Sequence, residues 1–239
     1  MLWDSSITVL IISYLCVHQS SFYYAYLDNA RIGVAKVFDA MHEDDFTREV
    51  DMRSKLGDHP HLITFEKHLS FLSRDKTIHA IVMPFCPRSL QDLLVQFRHM
   101  NASIPHSTLN VIIKGCVAAL EEMHRQRVAH CDIKPGNIML GLSSADSNPV
   151  LVDFGGASEF GDVMPEGGTR RYWLDAEFDR ADPALDWICL GATICESLCL
   201  ELGNPRVVLA SHLERDSSLA GLVAKTCLKG RAPTPAHLR

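Results

Sequence analysis

The sequence predicts an α+β chain in two parts, a small sheet-rich part over residues 1–86 and a mostly helical part over residues 87–239. Three observations carry that expectation. Up to Met83 the apolar residues come in short stretches rich in β-branched side chains, and from Leu90 onward they recur at helical spacing. Between the two regimes Pro84 and Pro87 bracket a short connector. With 239 residues the chain can bury a core of ordinary density, as one domain or as two small lobes sharing a cleft.

The elements follow in order. Ile7 to Val17 is a mostly apolar run of eleven residues, too short to cross a bilayer comfortably. It has the length of a secretory core, but Asp4 precedes it and no Lys or Arg does, so its β-branched content reads as a first strand. Ser21 to Leu27 and Arg31 to Phe38 read as strands around an Asp28-Asn29 turn. Asp44 and Asp45 suit the start of a helix running to about Leu56, stopped by Gly57 and Pro60. His61 to Leu72 and Thr77 to Met83 supply two more strands. Ser89 to Asp92 has the form of a capping box, followed by the apolar face Leu90, Leu93, Leu94 and Phe97. A longer helix near Ser107 carries Leu109, Ile112, Ile113, Cys116, Leu120 and Met123 along one stripe. From Asp186 to Leu200 nearly every side is apolar, as in a helix buried all round. Ala210 to Arg239 closes the chain with one or two short helices.

Composition narrows the function. Hydrophobic content of 47% and charged content of 22% belong to a folded globular chain. A net charge of −6 gives no case for nucleic-acid binding. The eight cysteines are scattered without a C-x-x-C pair, which favours buried free thiols in a reducing, cytoplasmic compartment over a disulfide or zinc framework. No membrane association is expected.

The chemistry is concentrated in two short loops. Residues 130–137 read His-Cys-Asp-Ile-Lys-Pro-Gly-Asn, and Asp-Phe-Gly stands at 153–155. Between them Ile138 to Leu140 and Val150 to Val152 look like a hairpin of two buried strands. Asp132, Lys134, Asn137 and Asp153 would then converge at one end of it. Such a cluster offers hard oxygen ligands for a metal, a point positive charge, and a carboxylate beside an incoming hydroxyl. Taken singly, each also reads as an ordinary turn residue, Asp132 and Asn137 in a polar turn and Asp153 before Gly155-Gly156.

Together these residues resemble the catalytic core of the eukaryotic protein kinases, with H-x-D-x-K-x-x-N as catalytic loop and D-F-G as metal loop. The resemblance covers about residues 22–239 and implies a two-lobed protein-kinase-like α+β fold. A small antiparallel-sheet N-lobe with its hinge would span residues 1–86, and a shortened helical C-lobe residues 87–239, with ATP and Mg2+ in the cleft. It implies Asp132 as catalytic base, Lys134 as the charge on the transferring phosphoryl group, and Asn137 and Asp153 as magnesium ligands. Val34-Ala35-Lys36 is similar to the family's V-A-I-K, so Lys36 would reach the α- and β-phosphates with Glu49 holding it. Alone, Lys36 would be an ordinary surface charge. Met83 would be the gatekeeper, and the hinge would offer the Pro84 carbonyl and the Cys86 N–H to adenine, with Ala35 and Met139 on the ring's two faces. Ala35 and Met139 equally suit an ordinary core. Gly168-Thr169 and Tyr172 resemble the segment that cradles the acceptor. Asp175-Ala176-Glu177 stands for A-P-E, with Arg231 as the partner of Glu177. Asp186-Trp187 with Leu190-Gly191 matches D-x-W-x-x-G, which buttresses the catalytic loop.

Four departures mark the chain. It has no G-x-G-x-x-G, and Val17-His18-Gln19-Ser20-Ser21 stands between the first two strands, so either nucleotide is held loosely or the natural N-terminus is missing. Cys131 replaces the arginine before the catalytic aspartate, removing the docking charge for an activation-loop phosphate. Arg53, one turn after Glu49, stands where relatives place an apolar residue, and a charge there is costly unless it points outward. Only 45 residues separate Asp186 from Arg231. Gly136 replaces the acidic residue of basic-directed kinases, so the sequence implies no substrate preference. The expected function is transfer of the ATP γ-phosphoryl group to serine or threonine hydroxyls of protein substrates. The alternatives are a kinase-shaped nucleotide-binding scaffold with little turnover, and a small-molecule phosphotransferase.

Overall fold

The computed structural model describes residues 2–4, 7–9, 14–17, 20–27, 31–73, 75–141, 148–165, 168–198, 213–214 and 216–238. They form two compact units, Met1–Asp58 with Ile63–Phe85, and His59–Leu62 with Cys86–Arg239.

The first unit begins with β1 (Leu2–Asp4) and β2 (Ile7–Val9), an antiparallel pair. β3 (Tyr14–Val17), β4 (Ser20–Tyr26) and β5 (Ile32–Phe38) follow. The single strand expected over Ile7 to Val17 is thus two strands, and residues 10–13 lie outside the described residues. So does the expected Asp28-Asn29 turn. Next comes α1 (Glu43–Lys55), whose first turn carries Glu43, Asp44 and Asp45 against the positive end of the helix dipole. Leu56 closes it with an N–H to Arg53 O, and Gly57 follows at φ +64°.

β6 (Lys67–Ser73) and β7 (Lys76–Pro84) complete a five-stranded antiparallel sheet in the order β3-β4-β5-β7-β6. The expected strand from His61 is therefore shorter. Residues 61–65 are off the ladder: His61 Nδ1 bonds Pro149 O at 2.8 Å, and the carbonyl of Ile63 accepts the Arg53 side chain. Ala25, Leu27, Ala35 and Val82 form a core cluster on the sheet, with Val37 and Leu69 packed on it.

The second unit opens with β8 (Arg88–Ser89) and α2 (Leu90–His99). The capping box is made, with Ser89 N bonding Asp92 Oδ2 at 2.7 Å and Asp92 N bonding Ser89 Oγ at 3.2 Å. α3 (His106–Arg125) buries its whole apolar stripe, from Leu109 to Met123. β9 (Val128–Ala129), β10 (Ile138–Leu140), β11 (Pro149–Leu151) and β12 (Ser158–Glu159) are short. β10 pairs with β11 and β8, and β12 pairs with β9. α4 (Pro183–Ser197) is capped by Asp182, whose side chain accepts Ala184 N, and buries every residue from Leu185 to Ser197. At Gly191 an added Cβ would stand 2.9 Å from Leu228 N, so only glycine allows that approach. α5 (Leu219–Cys227) and a 3-10 turn at Pro235–Leu238 supply the expected short closing helices. Among the described residues no helix is long and apolar enough to cross a membrane. The six cysteines described with side chains are free thiols, Cys86 half-buried and the other five buried.

Candidate active site

The second unit brings the two loops together. The hairpin β10–β11 pairs Ile138 with Leu151 and Leu140 with Pro149, and Val152 N bonds Asn137 O at 3.1 Å. That bond sets Asp153 one residue beyond the contact with Asn137. Asp153 has φ +69°, a left-handed conformation that an aspartate tolerates better than most residues.

The Asp132 carboxylate is the centre of the cluster. Lys134 Nζ donates to its Oδ2 at 2.6 Å and to Thr169 Oγ1 at 2.9 Å. Thr169 Oγ1 donates to its Oδ1 at 2.8 Å. Asn137 Nδ2 donates to Oδ2 at 3.0 Å and to the Asp132 carbonyl at 2.9 Å. A carboxylate offers about four lone-pair sites. Three are taken, and Oδ1 keeps one acceptor position for a further hydroxyl. Gly168, at φ +77°, delivers Thr169 to this cluster; a Cβ there would lie 3.0 Å from the Trp173 ring.

The loop itself hangs on a buried carboxylate. Asp186, fully buried on α4, accepts the backbone N–H of His130 through Oδ2 and of Cys131 through Oδ1, both at 2.8 Å. His124 Nε2 lies 2.8 Å from the same Oδ2. These bonds hold Cys131 at φ +63°, a conformation costly for a residue with a Cβ. Burial, with the Asp186 and Asp132 carboxylates beside it, pushes the Cys131 thiol well above its usual range. It stays a neutral thiol. His130 donates through Nε2 to Val152 O at 3.1 Å and accepts Asp132 N at Nδ1 at 3.4 Å, linking the loop to the strand before Asp153. Its ring lies 5.6 Å from that of Phe154.

In the first unit Lys36 and Glu49 form a buried ion pair, Nζ to Oε2 at 2.7 Å, with side chains 7% and 1% exposed. Lys36 also lies over the Phe38 ring at 5.3 Å. Ala35 is part of the sheet's core cluster. Met83, which pairs with Val34, is buried, and Pro84 ends β7 opposite Gly33. Met139 is half-buried on β10, opposite Val150 and Ser89. Cys86 is half-buried, and burial raises its thiol too.

Arg53 is buried, 6% exposed, and it meets the cost of that burial by donating from Nε to Ile63 O and from Nη1 to Gly57 O at 2.7 Å. Its guanidinium satisfies the Gly57 carbonyl just past α1 and the Ile63 carbonyl beyond it, and a cation in the last turn of α1 complements the helix dipole. Burial lowers its pKa, and the Asp58 carboxylate 4.0 Å away opposes that shift. Glu177 and Arg231 do not pair. Both are exposed, and no ion pair joins them among the described residues. Arg231 follows Gly230, whose φ of +69° turns the chain after α5.

One group escaped the sequence. Glu196, buried on α4, accepts Tyr172 OH through Oε2 at 2.7 Å, and Arg98 Nη2 and Arg171 Nη2 through Oε1 at 2.9 and 3.3 Å. Burial, then the bond to Glu196, raises the Tyr172 hydroxyl well above its usual pKa. A lone glutamate in an otherwise apolar helix was the available signal, since a buried charge must be paired.

The donor set suits a hard divalent ion bound with phosphates. Asn137 has its amide nitrogen committed to Asp132, so its Oδ1 would be the atom to face a metal, beside the carboxylate of Asp153. Among the described residues no cluster of three His, Cys, Asp or Glu could hold a metal alone. Mg2+ is usually held by one or two carboxylates together with substrate phosphates and water.

A family model described as protein kinase domain matches residues 21–205. The serine/threonine-protein kinase PknF of Mycobacterium tuberculosis is 28% identical over 198 residues, 77% of this chain and 40% of that protein. The cyclin-dependent kinase 11.1 of Caenorhabditis elegans is 27% identical over 117 residues, 49% of this chain and 16% of that protein. A probable myosin light chain kinase of Dictyostelium discoideum is 28% identical over 115 residues, 48% of this chain and 34% of that protein. The chain thus spans less than half the length of each of these relatives.

Proposed function

The chain belongs to the protein kinase family, and from that membership we propose that it transfers the γ-phosphoryl group of ATP to serine or threonine hydroxyls of protein substrates, with Mg2+. One observation carries the reading: the Asp132 carboxylate, fixed by Lys134, Thr169 and Asn137, has an acceptor position left for a hydroxyl. Asp132 takes the proton of the attacking hydroxyl, a role worth about 10²- to 10⁴-fold in rate. Lys134, two residues on and bonded to both Asp132 and Thr169, holds positive charge beside the reacting oxygen. Asn137 and Asp153 are the assigned magnesium ligands, and Lys36, held by Glu49, is assigned to the α- and β-phosphates. Magnesium-bound ATP, when present, supplies the phosphoryl group and neutralises its charge. Cys86, Pro84, Ala35 and Met139 are assigned to the adenine.

A second reading, a nucleotide-binding scaffold with little turnover, is favoured by one feature. The sequence carries no glycine before Gly33, so the G-x-G-x-x-G whose backbone would approach phosphate is absent. The test is phosphoamino-acid analysis of a generic protein mixture labelled with γ-³²P-ATP and Mg2+. The proposal expects label on serine and threonine, abolished by chelating the metal. Label on tyrosine, or nucleotide binding with no transfer, would overturn it.

A further inference from the structure

The residues after Thr169 carry the charge that a substrate would meet next. Arg170 and Arg171 open a 3-10 turn, Arg170–Tyr172, and both are exposed. The Arg170 guanidinium lies over the Trp173 ring, 4.2 Å from its centroid, and makes no ion pair among the described residues. Arg171 shares Glu196 with Arg98, and Tyr172 OH holds the second oxygen of that carboxylate. Two guanidinium groups, those of Arg98 and Arg171, therefore share one carboxylate, which is buried and already bonded on both oxygens. Asp175 and Glu177, the next acids, are exposed and accept no bond from either arginine among the described residues. Gly136 offers no acidic side chain on the catalytic loop, and the space around it is open.

We propose that Arg170, with Arg171, selects acceptor peptides that carry anionic side chains within a few residues of the phosphorylated hydroxyl. The inference rests on the phosphotransfer reading and names its substrate class. A guanidinium held against an aromatic ring has less freedom to lose on binding, and its fork of N–H donors matches a carboxylate or phosphate. A basic peptide residue meets like charge at this strip. The net charge of −6 repels acidic ligands in general, so a preference for them must come from this local strip.

The experiment uses the full chain and peptides with a central serine, flanked on either side by glutamate, phosphoserine, alanine or arginine. Transfer is read from γ-³²P-ATP, and binding by fluorescence anisotropy on versions with alanine at the centre. An exposed pair contributes little, so glutamate peptides are expected to bind about fivefold tighter than alanine ones, with phosphoserine tighter and arginine weaker. Arg170→Glu should reverse that order, and Arg170→Lys should keep its direction at reduced size. Equal binding of glutamate and alanine peptides, a glutamate preference that survives Arg170→Glu, or no peptide binding at all overturns the proposal. A correct binding order with no phosphate transferred would instead sink the phosphotransfer reading alone.

Discussion

The Lys134 ammonium stands 2.6 Å from Oδ2 of Asp132, and the same nitrogen reaches the Thr169 hydroxyl at 2.9 Å. One cation thereby ties the catalytic loop to the segment that follows Gly168. Thr169 closes the triangle by donating to Asp132 Oδ1 at 2.8 Å.

Thr169→Val removes both bonds while keeping the shape of the side chain. A hydrogen bond to a charged group is worth about 1.5–3 kcal/mol. The turnover number should fall on the order of tenfold to a hundredfold, and Thr169→Ser should recover most of it. Steady-state kinetics with saturating ATP would check this; unchanged turnover in the valine variant would show that the triangle is incidental.

Asp186→Ala strips the acceptors from two buried backbone N–H groups, those of His130 and Cys131. Each orphaned donor costs roughly 1–3 kcal/mol. The melting temperature should drop by about 5–15 °C for a chain of this size. Asp186→Asn, which keeps one acceptor oxygen, should lose about half as much. A melt by circular dichroism decides it.

Much of this cluster was legible because Asp132, Lys134 and Asn137 fall within six consecutive residues. Between Asp132 and Asn137 the spacing nearly dictates the geometry, and Ser89 to Asp92 closed as its pattern promised. Long-range partners were less accessible. The sequence announced that Arg53 carried a charge, but not that two carbonyls lay within its reach. Glu196 went unnoticed because its partners, Arg98, Arg171 and Tyr172, come from two distant stretches. The expected strand from His61 failed because side chains claimed carbonyls around it, which no periodicity reveals.

Arg53→Met restores the apolar type and leaves the Ile63 and Gly57 carbonyls without their donors. The expected loss is about 2 kcal/mol of stability, read as a lower urea midpoint. Arg53→Lys should retain part of it, since an ammonium can serve one carbonyl well. A methionine variant as stable as the parent would refute the capping role.

Cys131 is a buried neutral thiol where a docking cation would stand, so a phosphate between Ser158 and Thr169 has no charge to meet at that position. Treating purified chain with a broad phosphatase should leave its specific activity unchanged. A loss that follows dephosphorylation of that segment would contradict the expectation.

The most direct test of the whole account compares wild type with Asp132→Asn for phosphate transfer from radiolabelled ATP to protein. The asparagine keeps the side chain's size but cannot take the hydroxyl's proton. Transfer should fall by about 10²- to 10⁴-fold while ATP binding persists. Equal transfer by both proteins would contradict the assignment of Asp132, and with it the proposed phosphoryl transfer.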